Sequence, residues 1–313
     1  MKDKTAGISI VIPLYNKAEY VARTINSVIA QTYPYFEALI IDDASTDNGL
    51  TIVESFADYR IKIVRQDKNR GVSAARNRGI QEAKYDLIAL LDADDWWDNL
   101  YLEEMMELVQ EYPNVGFYGS QYGMVINGIV HSFSKVLQKN QTAACFDLIS
   151  MANNSKFPIH SSSVLFKKDI ARSSGLFDER ITFFEDYDFF LRMALLSKLA
   201  YIEKRPLSFY NQDVEKTNRL TGELPSVRTH LLFFLNKYDT LYSKNFFLRS
   251  YICQFILHSL WKFRHDADYL MLKKHLIPPI PLKEFSWKQI IYYYFPIGML
   301  DFLVILYKKI KRL

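Results

Sequence analysis

The sequence predicts an α/β fold with a mixed, mostly parallel sheet flanked by helices. Three observations carry this. Strand-length apolar runs alternate with helix-period segments through the first hundred residues. Those runs are almost continuously apolar, as in strands covered on both faces. Several of them stop abruptly at polar residues, which suits a sheet that binds ligands at the carboxyl ends of its strands. The sharpest case is Leu87–Trp97, where an apolar run meets Asp92, Asp94 and Asp95.

The elements follow in order. Ile8–Ile12 is a β-branched strand that ends at Pro13. Asn16 with Glu19 has the pattern of a capping box, and the helix behind it lines up Val21, Ile25, Val28 and Ile29. Phe36–Ile41 is the second strand and ends in Asp42-Asp43. Ser45, Thr46 and Asp47 are N-cap candidates for a helix whose Ile52, Val53 and Phe56 face inward. Ile61–Val64 is the third strand, Val72–Ala83 a helix lined with small residues, and Leu87–Leu91 the fourth strand. Leu100–Glu111 is an amphipathic helix. Val115–Val136 has the short aromatic and β-branched runs of an antiparallel addition. Phe157–Phe166 reads as a further strand, and Gly175–Arg192 opens a helix with a second acidic cluster. Beyond about His230 the pattern becomes helical and aromatic-rich. The expected domains are therefore 1–225, in two halves at 1–115 and 116–225, and a helical extension at 226–313.

Composition sets limits. With 313 residues, 49% hydrophobic and 24% charged, the chain can bury a sizeable core and is not a disordered polymer. A net charge of +4 gives no reason to expect nucleic-acid binding. Two cysteines, Cys145 and Cys253, offer neither a disulfide framework nor metal spacing. There is no signal-peptide pattern, which fits a cytoplasmic protein. At the end of the chain, Ile290–Arg312 combines an aromatic, apolar stretch with Lys308, Lys309, Lys311 and Arg312. That pairing suits peripheral contact with the inner face of a membrane through 290–313, or a core helix with a solvated basic tail.

Four motifs carry chemistry. Asp92 and Asp94 have period-two spacing, so an extended strand end presents both carboxylates on one side. With Asp95 they suit Mg²⁺ or Mn²⁺ whose shell is completed by phosphates; otherwise they are solvated acids capping a helix. Asp43 can accept from a base or ribose, or cap a helix. Asn69–Gly79 is rich in small residues and arginines. Its Arg76 either contacts an anion or pairs with the acids. In Phe183–Phe190, aromatic pairs bracket Glu185, Asp186 and Asp188, and an apolar setting favours a general base. On a helix, Glu185 and Asp188 share one face while Asp186 points elsewhere.

Ser9–Asn16, Ile40–Asp47, Gly71–Gly79 and Asp92–Asp95, taken in this order, resemble the signature of family 2 glycosyltransferases with the GT-A fold. The likeness spans roughly Ile8–Arg192. It implies an inverting glycosyltransferase that takes a UDP-sugar, carrying a hexose or N-acetylhexosamine, to a saccharide or lipid-linked acceptor in bacterial surface-polysaccharide synthesis. Pro13, Tyr15, Asn16, Asp43, Arg76, Asp92 and Asp94 would bind the nucleotide sugar. Asp94 and Asp95 would hold Mn²⁺ or Mg²⁺. Glu185-Asp186 matches the family's Glu-Asp pair, with Asp186 the base and Glu185 on the acceptor side. Where the family often has Tyr-Arg-x-His, this chain has Tyr210-Asn211-Gln212-Asp213. Either Asp213 replaces that histidine as a metal ligand or the ligand is missing. A nucleotidyltransferase and a non-catalytic sugar-nucleotide-binding protein are the alternatives. The first would need a phosphate-gripping loop where this chain reads Pro-Leu-Tyr-Asn-Lys, and the second is disfavoured by an intact Glu185-Asp186.

Overall fold

A computed structural model describes residues 6–213, apart from 133–135, 139, 152–157 and 182–183, together with Lys237. The expected helical extension at 226–313, its boundary at 225, Cys253 and the 290–313 membrane segment lie outside the described residues. By its contacts the chain divides into two units, Met1–Lys237 and Tyr238–Leu313. Among the described residues no helix is long and apolar enough to cross a membrane.

The first half alternates strand and helix as expected: β1 (Ile8–Leu14), α1 (Ala18–Ile29), β2 (Phe36–Asp42), α2 (Gly49–Glu54), β3 (Ile61–Arg65), α3 (Val72–Glu82) and β4 (Leu87–Leu90). Every residue of β2 and β4 is buried, because helices cover both faces of the sheet. β1 pairs in parallel with β2 on one side and with β4 on the other, and β2 pairs in parallel with β3. The chain thus builds outward from β1 to β3 and then returns to the opposite side of β1. That reversal opens a crevice beyond the carboxyl ends of β1 and β4, the position where such sheets take ligands. The small residues of α3 let it approach closely: a Cβ on Gly79 would lie 2.3 Å from Val11 Cγ1.

The second half is mixed. After β5 (Trp96–Trp97) and α4 (Tyr101–Glu111) come β6 (Phe117–Ser120), β7 (Tyr122–Ile126), β8 (Ile129–Ser132), β9 (Ala143–Phe146) and α5 (Leu148–Met151). Then follow β10 (Val164–Lys167), α6 (Lys168–Ser173), α7 (Glu185–Ala194), β11 (Leu199–Ile202) and β12 (Ser208–Asn211). The main sheet runs β3-β2-β1-β4-β10-β6-β11-β9, with β10 antiparallel to both of its neighbours. A small second sheet, β5-β12-β7-β8, was not expected. Its β7–β8 hairpin turns on Asn127 and Gly128, both at positive φ (52° and 71°), as a two-residue primed turn requires. The expected strand at Phe157–Phe166 is shorter than predicted. Ser161–Ser163 forms a 3-10 turn, and pairing begins only at Val164.

A large core cluster lies between the sheet and α1 and α4, with Ile8, Ile10, Ile12, Ile25, Ile40 and Met105 all inaccessible to solvent. Each such side chain contributes about 1.5–3 kcal/mol relative to exposure. The sheet is therefore a rigid base for the loops at its carboxyl edge.

Candidate active site

The loops after β1 and β2 are locked to each other. Asn16 and Ala44 both adopt left-handed backbone, at φ 50° and 59°. Asn16 Oδ1 accepts from the Thr46 N–H at 2.8 Å, and Ser45 Oγ accepts from the Asn16 N–H. The expected Asn16–Glu19 capping box is therefore not made. The left-handed turn aims the Asn16 side chain at the β2 loop, and Lys17 becomes the N-cap without a side-chain cap of its own. Asp47 substitutes: one oxygen accepts from the Ala18 N–H at 2.8 Å and the other from the Gly49 N–H at 2.9 Å. One carboxylate thus caps α1 and α2 together. Between these loops Pro13 is half-buried, whereas Tyr15 is 42% exposed.

Asp43 is buried and fully engaged. Its carboxylate accepts from the N–H groups of Arg70 and Gly71 and from the Gln66 amide, all at 2.7–2.8 Å. Burial raises its pKa, while those backbone donors oppose the rise. It fixes the loop that leads into α3, which starts at Gly71 with φ 88°.

Arg76 emerges from α3 beneath this loop and is almost wholly buried. One guanidinium nitrogen donates to Asp92 Oδ1 at 2.7 Å, and the other donates to Glu185 Oε1 at 2.8 Å. Burial opposes its charge, but Asp92, Glu185 and Asp186 outweigh that and hold it protonated. Among the described residues its Nε has no hydrogen-bond partner.

The Asp92–Asp95 turn holds the densest charge. Burial alone would raise the pKa of Asp92, but Arg76 brings it below the usual carboxylate range. Lys17 Nζ lies 2.6 Å from Asp94 Oδ2, and Arg23 donates to the Asp94 carbonyl. Asp95 is inaccessible to solvent. It accepts from the Ser162 hydroxyl at 2.6 Å and the Asn211 N–H at 2.9 Å. Burial, then the charges of Asp94 and Asp92, push its pKa well up. The same Ser162 hydroxyl accepts from the Asp92 N–H. A single serine thus fixes both ends of the acidic turn.

Beside Ser162 stands His160, stacked on Tyr210 with ring centroids 4.1 Å apart. Its Nδ1 accepts from the Ser162 N–H and lies 3.6 Å from Asp95 Oδ2. Burial lowers its pKa, so the imidazole is held neutral, the form that ligates metals. Among the described residues, Asp92, Asp95 and His160 bring ligand atoms within 4.8 Å of one another. This differs from the expected set of Asp94, Asp95 and Asp213. Asp94 is occupied by Lys17. The carboxylate of Asp213 accepts from the Asn127 and Gly128 N–H groups, and so fixes the β7–β8 turn. The residues present suit a hard divalent ion: carboxylate oxygens and an imidazole converge, and a cation would offset the burial and the neighbouring charges that disfavour ionised Asp95.

The second acidic cluster faces the first. Phe184, left-handed at φ 63°, starts α7. Glu185 and Asp188 are buried and Asp186 is half-buried, as the helical spacing predicted. Burial pushes Glu185 up to about 7, with Asp186 adding to the rise and Arg76 opposing it. Ser161 Oγ donates to Asp186 Oδ2 at 3.3 Å, and the Tyr187 N–H donates to Oδ1. Asp188 serves α7 itself: it pairs with Arg192 at 2.6 Å and with Lys237 at 2.9 Å.

Sequence reasoning missed Lys17, His160, Ser161 and Ser162. The available signal was a run of four polar residues, His160–Ser163, directly before the apolar Val164–Phe166. Only the antiparallel register of β10 against β4, with Leu165 opposite Ala89, carries that run to the acids.

Residues 9–172 match the family described as glycosyl transferase family 2. The amylovoran biosynthesis glycosyltransferase AmsB of Erwinia amylovora is 28% identical over 241 residues, covering 74% of this chain and 78% of AmsB. The Escherichia coli enzyme WfgD, named as a UDP-Glc:alpha-D-GlcNAc-diphosphoundecaprenol beta-1,3-glucosyltransferase, is 34% identical over 123 residues, or 39% of this chain and 48% of WfgD. The chain likewise spans less than half the length of other curated relatives that it matches. A crystal structure of S. aureus TarS with UDP-GlcNAc superposes with a TM-score of 0.68 at 16% identity, covering 89% of this chain and 82% of that one. At that identity the likeness speaks for the fold, which is GT-A. With over half of the chain matched to one family and the fold in agreement, the chain belongs to the family 2 glycosyltransferases.

Proposed function

We propose that the chain transfers a hexose or N-acetylhexosamine from a UDP-sugar, with inversion, to a hydroxyl of a saccharide or lipid-linked saccharide during assembly of a bacterial surface polysaccharide. The observation that carries this reading is the buried Arg76, which joins Asp92 on the donor side to Glu185, the neighbour of Asp186. This linkage supports reading Asp92 as facing the nucleotide and Asp186 as the base on the other side. The names of the relatives support the substrate class: WfgD is named for UDP-Glc and a diphosphoundecaprenol acceptor, TarS was solved with UDP-GlcNAc, and AmsB is named for amylovoran.

In this reading the acceptor hydroxyl gives its proton to Asp186 as its oxygen attacks the anomeric carbon. The bond from that carbon to the diphosphate oxygen breaks on the opposite face, so one displacement inverts the centre. Ser161 and the Tyr187 N–H hold the Asp186 carboxylate in place. Asp43, Tyr15, Pro13 and Asn16 frame the uridine side. Asp92, Asp95 and His160, together with Asp94, would hold Mn²⁺ or Mg²⁺, which would neutralise charge on the departing diphosphate. A lipid-linked acceptor would place the protein on the cytoplasmic face of the membrane.

The test is UDP release from UDP-glucose, UDP-galactose and their N-acetyl forms, with and without a saccharide acceptor. Acceptor-dependent release from one donor supports the reading. Absence of UDP binding and of release from every donor overturns it.

A further inference from the structure

Lys17 and Asp94 form a contact that the proposed reaction does not explain. The ammonium and the carboxylate are 2.6 Å apart, and both side chains are more than four-fifths buried. Lys17 is the N-cap of α1, at the end of the loop after β1. Arg23, from the same helix, donates to the Asp94 carbonyl. Helix α1 therefore delivers two cationic side chains to the residue expected to ligate metal. Among the described residues, the hydrogen bonds to the Asp95 carboxylate come from a hydroxyl and a backbone N–H, and no ammonium contacts it as Lys17 contacts Asp94, although the charge of Arg23 acts on both acids.

We propose that Lys17 is a displaceable counterion of Asp94, so that the divalent ion and the donor diphosphate bind together: the ion takes the carboxylate and Lys17 moves to the diphosphate. The charges argue for this order. A divalent cation approaching Asp94 alone meets an ammonium already on its ligand, and the two repel. A diphosphate that arrives with the ion brings negative charge that Lys17 can pair with instead. The ammonium is a compact charge on a flexible stem, so the exchange requires rotation of one side chain and no backbone change. Lys17 then has two jobs: it suppresses metal loading of the nucleotide-free site and strengthens the loaded one. Because coupling between two ligands is reciprocal, the factor by which UDP tightens Mn²⁺ must equal the factor by which Mn²⁺ tightens UDP.

This inference rests on the proposed donor site, and the experiment separates the two. Mn²⁺ binding is measured by calorimetry and by electron paramagnetic resonance on the full chain, with and without UDP, for wild type, Lys17→Met, Lys17→Arg and Asp94→Asn. The expected result for Lys17→Met is Mn²⁺ binding about two- to fivefold tighter without nucleotide, the range of a partly exposed pair. UDP binding at saturating Mn²⁺ should be about fivefold weaker, as for loss of one charge-assisted contact. The coupling factor should fall accordingly, and Lys17→Arg should keep most of it. Unchanged or weaker Mn²⁺ binding by Lys17→Met overturns the counterion role, and unchanged UDP binding overturns the move to the diphosphate. If Asp94→Asn binds Mn²⁺ and UDP like wild type, the donor-site reading of Asp94 has failed instead, and the inference fails with it.

Discussion

Asp92, at the end of β4, and Glu185, at the start of α7, share one buried guanidinium, that of Arg76. The buried guanidinium needs both acids to hold its charge, and each acid is favoured in its ionised form by the guanidinium. The crevice is therefore held by a charge triad that joins its two walls.

Arg76→Met should cost about 3 kcal/mol, because buried Glu185 and half-buried Asp92 lose their partner at once. Urea denaturation at pH 7 measures this. Adding Glu185→Gln should recover part of the loss, since one stranded charge is removed. If the double variant is no more stable than the single, Glu185 is not stabilised through Arg76.

The raised pKa of Glu185 sets a pH dependence. An unfolded glutamate titrates near 4.5, and this one near 7. The native state then holds a proton that the unfolded state has lost, so stability falls as pH rises through that window. The contribution is full below pH 4.5 and gone above about 7, with an upper size of about 3 kcal/mol. Asp95 acts in the same direction. His160, whose pKa burial lowers, acts in the opposite direction, so the Glu185 contribution is read as a difference: urea midpoints of wild type relative to Glu185→Gln should decline between pH 4.5 and 7.5. A difference between wild type and Glu185→Gln that is flat or rises across the window contradicts the assignment.

The parts legible in the sequence were those set by local pattern. β1, β2 and β4 are largely β-branched or apolar runs, and their ends point to Asn16, Asp43 and Asp92–Asp95 whatever the details of packing. The helical spacing of Glu185, Asp186 and Asp188 was equally local, and their burial follows it. The illegible parts depend on pairing across long stretches of chain. β5 is two residues long and acquires a strand's geometry only from β12. His160 and Ser162 reach the acids only through the register of β10. Asn16 has the spacing of a cap but fails as one because its backbone is left-handed, a property that sequence spacing does not encode.

The base assignment predicts a specific separation of binding from chemistry. Asp186→Asn should lower transfer by about 10²–10⁴-fold, the usual cost of losing a positioned base. UDP affinity should stay within about twofold, because Asp186 lies outside the hydrogen bonds that fix Asp43, Arg76 and Asp92. Initial rates and calorimetry on one preparation decide it. Transfer at the wild-type rate removes Asp186 from the role.

The metal set can be tested by contrasting Asp213, which the sequence offered as a metal ligand, with His160, which it did not single out. His160 is buried beside Asp92 and Asp95 with a neutral imidazole, whereas the Asp213 carboxylate is committed to the β7–β8 turn. His160→Ala should weaken Mn²⁺ binding about tenfold or more, the scale on which a lost ligand or supporting group acts. Asp213→Ala should leave Mn²⁺ affinity unchanged and lower stability by about 1–2 kcal/mol, because two turn N–H groups lose a charged acceptor. Mn²⁺ titration of both variants with UDP present, paired with thermal melts, reads both effects. The reverse pattern, with metal affinity lost on Asp213→Ala and kept on His160→Ala, would return the third ligand to Asp213 and reduce His160 to a ring that packs on Tyr210.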